Sequence, residues 1–239
     1  MAKEKERKFL LPADADLTTA LPLNAVRQRI TQVYLSPLQT DIRFDPALPQ
    51  VDVIHRQTGE RSTISLESPQ NQAVLAELRA FGLLDAQGHL KHNPANRQDP
   101  EIRVRAINGD EGVLTIKRKT HAADTRDEFE FSIPYAMAVS LQKAHIAEGT
   151  QPIVKTRFSW DRGGPHYDLD RYEDKNAGLL VLEVENPPAT VEQDVKALFP
   201  GAMPVADKRY GNRQLAEHPY SEWGPQYTGV PNAPGGFTK

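Results

Sequence analysis

Apolar and polar residues alternate over much of this chain, and a period of two marks a strand with one buried face. The alternation predicts strands at Lys3–Leu11, Ile102–Ile107, Gly112–Lys119, Asp127–Ile133, Pro152–Trp160, His166–Tyr172 and Leu179–Glu185. Asn108-Gly109-Asp110-Glu111 and Arg162-Gly163-Gly164-Pro165 read as tight turns, so the strands they join are antiparallel. Helical spacing is rarer. Tyr135–Glu148 repeats apolar residues at Met137, Leu141 and Ala144 behind Pro134. Val191–Phe199 gathers Val191, Val195, Leu198 and Phe199 on one face, with Thr190 and Gln193 placed as a capping box. Asn71–Phe81 does the same with Val74, Leu75, Leu78 and Phe81 before Gly82.

Residues 36–100 read as an inserted unit of strand (Asp41–Phe44), strand (Val51–Arg56), strand (Ser62–Glu67) and helix, with a loop from Asp85 to Pro100. Residues 217–239 are rich in Gly and Pro and read as an irregular tail that Trp223 and Tyr227 could pin to the body.

The polar faces of these strands are unusual, because ionised groups repeat along them sorted by sign. Glu4, Glu6 and Lys8 share a face; Arg103 and Arg105 lie opposite Ile102, Val104 and Ala106; Lys117 and Lys119 lie opposite Leu114 and Ile116. Glu128 and Glu130 alternate with Phe129 and Phe131, Lys155 and Arg157 with Val154 and Phe158, Asp168 and Asp170 with Tyr167 and Leu169, and Glu183 and Glu185 with Leu182 and Val184. One such pair is ordinarily a cross-strand ion pair on a solvated face. Repeated in phase on strand after strand, the pattern predicts an α+β fold. Its antiparallel sheet closes into a barrel, with the charged face lining the lumen and helices packed outside. Such a lumen cannot be dry, because unpaired buried charge is too costly. Converging Arg and Lys suit a polyanion, above all phosphate, and clustered carboxylates suit hard divalent cations, Mg²⁺ or Mn²⁺.

Composition narrows the field. Lys and Arg number 29 against 32 Asp and Glu, for a net charge of −3, which disfavours a nucleic-acid coat. With no cysteine, thiolate metal sites and thiol nucleophiles are excluded. No apolar run is long enough to span a bilayer, and the charged N-terminus lacks a signal peptide, so a cytoplasmic protein is expected. His55, His89 and His92 have no metal-site spacing and are read as solvated.

Glu4-Lys5-Glu6-Arg7-Lys8 resembles the ExExK signature of the CYTH superfamily, the triphosphate tunnel metalloenzymes. The order of Arg103-Val104-Arg105, Lys117, Glu128-Phe129-Glu130, Lys155-Thr156-Arg157, Asp168-Leu169-Asp170 and Glu183-Val184-Glu185 matches too, and Asp207–Ala216 resembles the closing motif of bacterial members. The resemblance implies an eight-stranded antiparallel tunnel over residues 1–216, interrupted by 36–100. It also implies metal-dependent hydrolysis of inorganic tripolyphosphate or a small organic triphosphate, with Glu4, Glu6 and Lys8 catalytic. Metal ligands would be Glu4, Glu6, Glu128, Glu130, Asp170, Glu183 and Glu185; phosphate contacts would be Lys8, Arg103, Arg105, Lys117, Lys155, Arg157 and Lys208. One metal would orient the triphosphate and a second would activate water. Two alternatives stay open: cyclisation of ATP, as in class IV adenylyl cyclases, and binding of a nucleotide or polyphosphate without turnover. Lys5 departs from the family, which usually has an apolar residue there. The insertion is read as surface decoration, a lid over one tunnel mouth, or a homodimer contact.

Overall fold

The computed structural model describes residues 6–92, 100–119 and 126–224. In chain order the elements are β1 (Glu6–Leu10), α1 (Leu17–Ala20), β2 (Val26–Leu35), β3 (Thr40–Phe44), β4 (Gln50–His55), β5 (Arg61–Ser65) and α2 (Pro69–Ala80). There follow β6 (Glu101–Ile107), β7 (Glu111–Lys119), β8 (Arg126–Pro134), α3 (Tyr135–His145), β9 (Ile153–Asp161), β10 (His166–Tyr172), β11 (Leu180–Glu185), α4 (Val191–Leu198), β12 (Met203–Val205), α5 (Asn212–Glu217) and α6 (Tyr220–Trp223). The chain divides into two compact units, residues 1–30 with 153–239, and residues 31–152. Among the described residues no helix is long and apolar enough to cross a membrane.

In the first unit β12, β1, β11, β10 and β9 pair antiparallel in that order. The register sets Phe9 opposite Leu182, Leu182 opposite Leu169, and Leu169 opposite Phe158. That row is apolar, and Val191, Val195 and Phe199 cover it from α4 and the residue after it. Trp160 and Tyr167 stack across β9 and β10 at 5.3 Å. The Thr190 capping box does not form. Thr190 has helical backbone angles (φ −84°, ψ −3°), so its hydroxyl runs along the helix and donates to Asp194 Oδ2 at 2.8 Å. An N-cap side chain reaches back to a free N–H only from extended backbone. Near the chain end, Trp223 sits edge-on to Tyr210 and Tyr220, under the Arg209 guanidinium. Tyr227 lies outside the described residues.

In the second unit β6, β7 and β8 form a meander, and Asn108 and Gly109 take the left-handed angles (φ 52° and 90°) that a tight hairpin turn requires. Residues 40–65 form a separate three-stranded sheet. The apolar faces of both sheets share one buried cluster with α2 and α3. Ile102, Val104, Leu114, Ile116, Phe129 and Phe131 pack with Ile42, Phe44, Val51, Val53, Ile64, Leu75, Leu78, Ala138 and Leu141. Phe44 meets Phe131 at 5.4 Å, and Phe81 meets Phe129 at 5.5 Å. Gly112 lets α3 approach β7, since a Cβ there would lie 2.8 Å from that of Ala138. Of the Asp85–Pro100 segment, residues 85–92 and 100 are described, and the stretch from Leu84 to Leu90 is more than a plain loop. Leu84 bridges Leu90, Arg43 bridges His89, and His89 Nδ1 lies 2.8 Å from Asp41, so His89 is not simply solvated.

Among the described residues the closed barrel expected from the charge pattern is not observed. Hydrogen bonding orders the strands β12-β1-β11-β10-β9-β2-β6-β7-β8, an open nine-stranded sheet. The strand edges explain why. Both edges of β1 are occupied, by β11 and β12. Pro204, central in β12, has no N–H with which to extend a ladder. At β8 the side-chain amide of Asn71, from α2, donates to Ser132 O at 2.8 Å and accepts from Ser132 N at 2.9 Å. It takes the place a further strand would occupy.

His145, at the end of α3, is 2% exposed. Its ring lies 5.6 Å from that of His55 on β4, Nδ1 is 3.5 Å from Thr40 Oγ1, and Nε2 has no hydrogen-bond partner among the described residues. Burial, and secondarily the nearness of His55, lower its pKa from 6.5, while Glu60 opposes the shift weakly. A lowered histidine pKa means the unfolded chain binds more protons, so this contribution is complete above pH 6.5 and is lost as pH falls through the folded value. The melting temperature is expected to drop between pH 6.5 and 5, and to drop less in His145→Leu; parallel thermal melts check this.

Candidate functional site

Pairing places the charged residues of the first unit in rows on the face opposite its apolar core. One row runs Glu6, Glu185, His166, Asp161; the next Lys8, Glu183, Asp168, Ser159; then Asp170 faces Arg157, and Tyr172 faces Lys155. Glu4 and Lys5 lie outside the described residues. Arg157 is the hub. Its Nε and Nη2 grip the two oxygens of Asp170 at 2.7 Å each, Nη1 donates to Asp168 at 2.6 Å, and Nη2 reaches Glu183 at 3.3 Å. Lys8 donates to Glu183, with Glu6 at 3.4 Å, and Lys155 donates to Asp170.

These groups set one another's charge. Burial would raise the Glu183 carboxyl, but Lys8 and Arg157 outweigh it and hold the pKa well below the carboxylate range. Burial opposes the charge of Lys8 too, yet Glu183 and Glu6 raise its pKa. Burial, and then Arg157, push the Lys155 ammonium down to about 8 despite Asp170. Lys208 is exposed, opening the 3-10 turn Lys208–Tyr210, and makes no ion pair among the described residues.

The second unit carries a matching set on β6, β7 and β8. Arg103 donates to Glu128 at 2.8 Å and to Glu130 at 3.4 Å, Arg105 donates to Glu130, and Lys117 lies 2.7 Å from Glu128. Against its burial, Lys117 and Arg103 bring the Glu128 carboxyl down to about 2. Burial and Arg103 together lower the Lys117 pKa. Of Lys119 only the backbone is described.

The structure adds members that the charge motif omits. Ser159 donates to Asp168 at 2.5 Å, Thr115 donates to Glu130 at 3.1 Å, and His166 lies between Asp161 (2.7 Å) and Asp168 (3.3 Å). Each is two residues from a charged site residue, so strand period carries the signal that restriction to ionised pairs discards.

The carboxylates offer only oxygen donors, which fits a hard divalent cation by chemistry. Among the described residues, however, no three acids or histidines converge as a ready-made ligand set. Glu6, Glu183, Asp168, Asp170, Glu128 and Glu130 each pair with at least one Arg or Lys; Glu6 and Glu185 face each other across β1 and β11.

The fold is α+β, and its charged sheet faces sort Arg and Lys against carboxylates. No protein-family model matches the chain. A curated inorganic triphosphatase of Acetivibrio thermocellus is 30% identical over 150 residues, spanning 60% of this chain and 86% of that protein. The crystal structure of the inorganic triphosphatase NE1496 aligns with TM-score 0.45 and 20% identity over 91% of this chain and 96% of its own. A conserved hypothetical protein of Pyrococcus furiosus aligns with TM-score 0.40 and 15% identity over 82% and 89%. The chain belongs to the CYTH superfamily of triphosphate tunnel metalloenzymes. Membership implies a divalent metal cation.

Proposed function

We propose that this chain hydrolyses a triphosphate, with inorganic tripolyphosphate or a small organic triphosphate as substrate and Mg²⁺ or Mn²⁺ as the metal. The observation that carries this reading is the placement of Lys8 and Arg157 in one unit, and Arg103, Arg105 and Lys117 in the other, on polar sheet faces against carboxylates. Kinship with an inorganic triphosphatase over most of that protein's length supports the choice of polyanion.

The chain's own chemistry follows from these pairs. Arg157 and Arg103 are planar forks that suit phosphate oxygens as well as they suit carboxylates. A polyphosphate at either fork would take over its outward N–H groups, and the acids so released would be free to neutralise a cation. Glu6, Asp170, Glu183 and Glu185 in the first unit, and Glu128 and Glu130 in the second, are the acids assigned to hold metal, with Glu4 added from the sequence motif. When bound, the metal supplies charge neutralisation on the phosphoryl oxygens and a water of lowered pKa. Arg and Lys hold the phosphate chain in line, and no side chain is needed as a covalent nucleophile.

Purified protein is to be incubated with Mg²⁺ or Mn²⁺ and, separately, tripolyphosphate, ATP and thiamine triphosphate, with products resolved by ion exchange. Phosphate release that stops with chelator and returns with added metal is the expected result. Cyclic AMP from ATP would establish the cyclase reading instead. Metal-dependent thermal stabilisation by a triphosphate, without product, would make the protein a binder.

A further inference from the structure

The two sheets end in four outer strands, and three of those edges are guarded. Pro204 lies in β12, and the Asn71 amide occupies the edge of β8. The edge of β3 is covered by the segment after α2, where Phe44 N donates to Gly88 O and Leu90 N to Ile42 O, at 2.8 Å each. The fourth edge is β5, outermost in the order β3-β4-β5. His55 N donates to Glu60 O and Leu66 N to Pro49 O, which fixes the phase of the β4–β5 ladder. Ladder bonds alternate along an antiparallel pair, so Ser62 and Ile64 turn their backbone groups toward β4, and Arg61, Thr63 and Ser65 turn theirs outward. Those outward groups have no backbone partner among the described residues, and all three residues are exposed. The strand holds no proline, glycine or lysine to blunt it. Its one charge is drawn inward: the Arg61 guanidinium donates to Asp52 of β4 at 2.5 Å, and the Thr63 hydroxyl donates to the same carboxylate at 2.7 Å. Both side chains thus lean toward β4 and leave the edge backbone clear.

We propose that β5 is a homodimer contact: a second copy of this chain adds its own β5 antiparallel, across a two-fold axis at Thr63. The two three-stranded sheets then continue into one another. Only this register uses every outward group within the strand. Thr63 exchanges both backbone bonds with Thr63 of the other copy, and Arg61 and Ser65 exchange theirs with Ser65 and Arg61. Charge selects the direction. Arg61 and Glu67 are exposed at opposite ends of the segment, an even number of residues apart. Antiparallel copies set Arg61 beside Ser65 and diagonally near Glu67 of the other copy, whereas parallel copies would set arginine against arginine and glutamate against glutamate. A short polar strand brings backbone bonds without an apolar core, which suits a reversible contact rather than an obligate one. The contact uses none of the residues assigned to phosphate or metal, so it stands apart from the reaction.

The chain has no cysteine, so one introduced thiol reports on the axis. In sedimentation the mass of the parent is expected to rise with concentration toward twice that of one chain. A monomer at every concentration up to about 0.1 mM overturns the proposal. Thr63→Cys and Ser65→Cys are then oxidised side by side with oxidised glutathione. The proposed axis sets position 63 about 5.5 Å from itself between Cα atoms, inside the range a disulfide bridges. It sets position 65 more than about 13 Å from itself, four residues along the strand. Thr63→Cys is expected to form a linked dimer at least about tenfold faster than Ser65→Cys. Equal rates, or a faster Ser65→Cys, mean random collision or another register and overturn the proposal, even if the parent dimerises. Thr63→Cys also gives up the hydroxyl bond to Asp52. Should that variant fail to fold, amide exchange of the parent decides. The Thr63 and Ser65 amides are expected to exchange more slowly as concentration rises, and exchange independent of concentration overturns the contact.

Discussion

Arg157→Ala is expected to lose about 10²–10³-fold in kcat/KM for tripolyphosphate, and Arg157→Lys to recover little of it. One guanidinium holds Asp170, Asp168 and Glu183 at once. A lysine ammonium is a single point of charge and cannot span three carboxylates in one plane. Alanine also leaves the fully buried Asp170 with Lys155 alone, and stranding part of a buried ion pair costs about 3–5 kcal/mol. The variant should therefore melt well below the parent, whereas Arg157→Lys, which keeps a charge near Asp170, should melt closer to it. Steady-state kinetics read beside thermal melts of both variants separate the two effects. Parental kcat/KM in folded Arg157→Ala would remove the residue from the site.

Excising residues 36–100 and rejoining the ends is expected to yield protein without a cooperative melt or a near-ultraviolet dichroism spectrum. The segment supplies Ile42, Phe44, Val51, Val53, Ile64, Leu66, Leu75, Leu78 and Leu83 to the buried cluster, against Phe129, Phe131 and Ile116. Full burial of such a side chain is worth about 1.5–3 kcal/mol, and a small domain has only about 5–15 kcal/mol of net stability. The excision also uncovers the β8 edge that Asn71 holds. A sharp melt near the parental temperature in the excised protein would show that residues 101–152 cover their own core.

Strands and their charged faces were legible in the sequence because period two is local. His166–Tyr172 needs no adjustment, and Glu101–Ile107 and Glu111–Lys119 differ from expectation by one residue at one end. What lay beyond reach was nonlocal. Nothing in the alternation of β1 tells that Pro204 and its neighbours take its second edge, and nothing in the pattern around Asn71 tells that its amide will meet Ser132. Closure of a sheet depends on such edge contacts, so the charge pattern found the faces and misjudged the barrel. In the site, the pairs of like charge were legible but their depth was not. Lys155 and Arg157 are equivalent by spacing, and only the surrounding Asp170 and Tyr172 separate an enclosed ammonium from an open fork.

Strand pairing also orders events in time. The unit of residues 31–152 is contiguous, so its partners are all made within one stretch of synthesis. The other unit joins the two ends of the chain, and the contact of Lys8 with Glu183 closes a separation of 175 residues. Long-range antiparallel pairing is slow, because the loop must close before its contacts repay the lost entropy. On the ribosome β1 therefore waits, without its partner, until β11 emerges. Assembly of the Lys8 and Arg157 cluster is among the last steps in the birth of the protein, and a chain truncated before Glu183 leaves Lys8 without that carboxylate and Arg157 with Asp168 and Asp170 only.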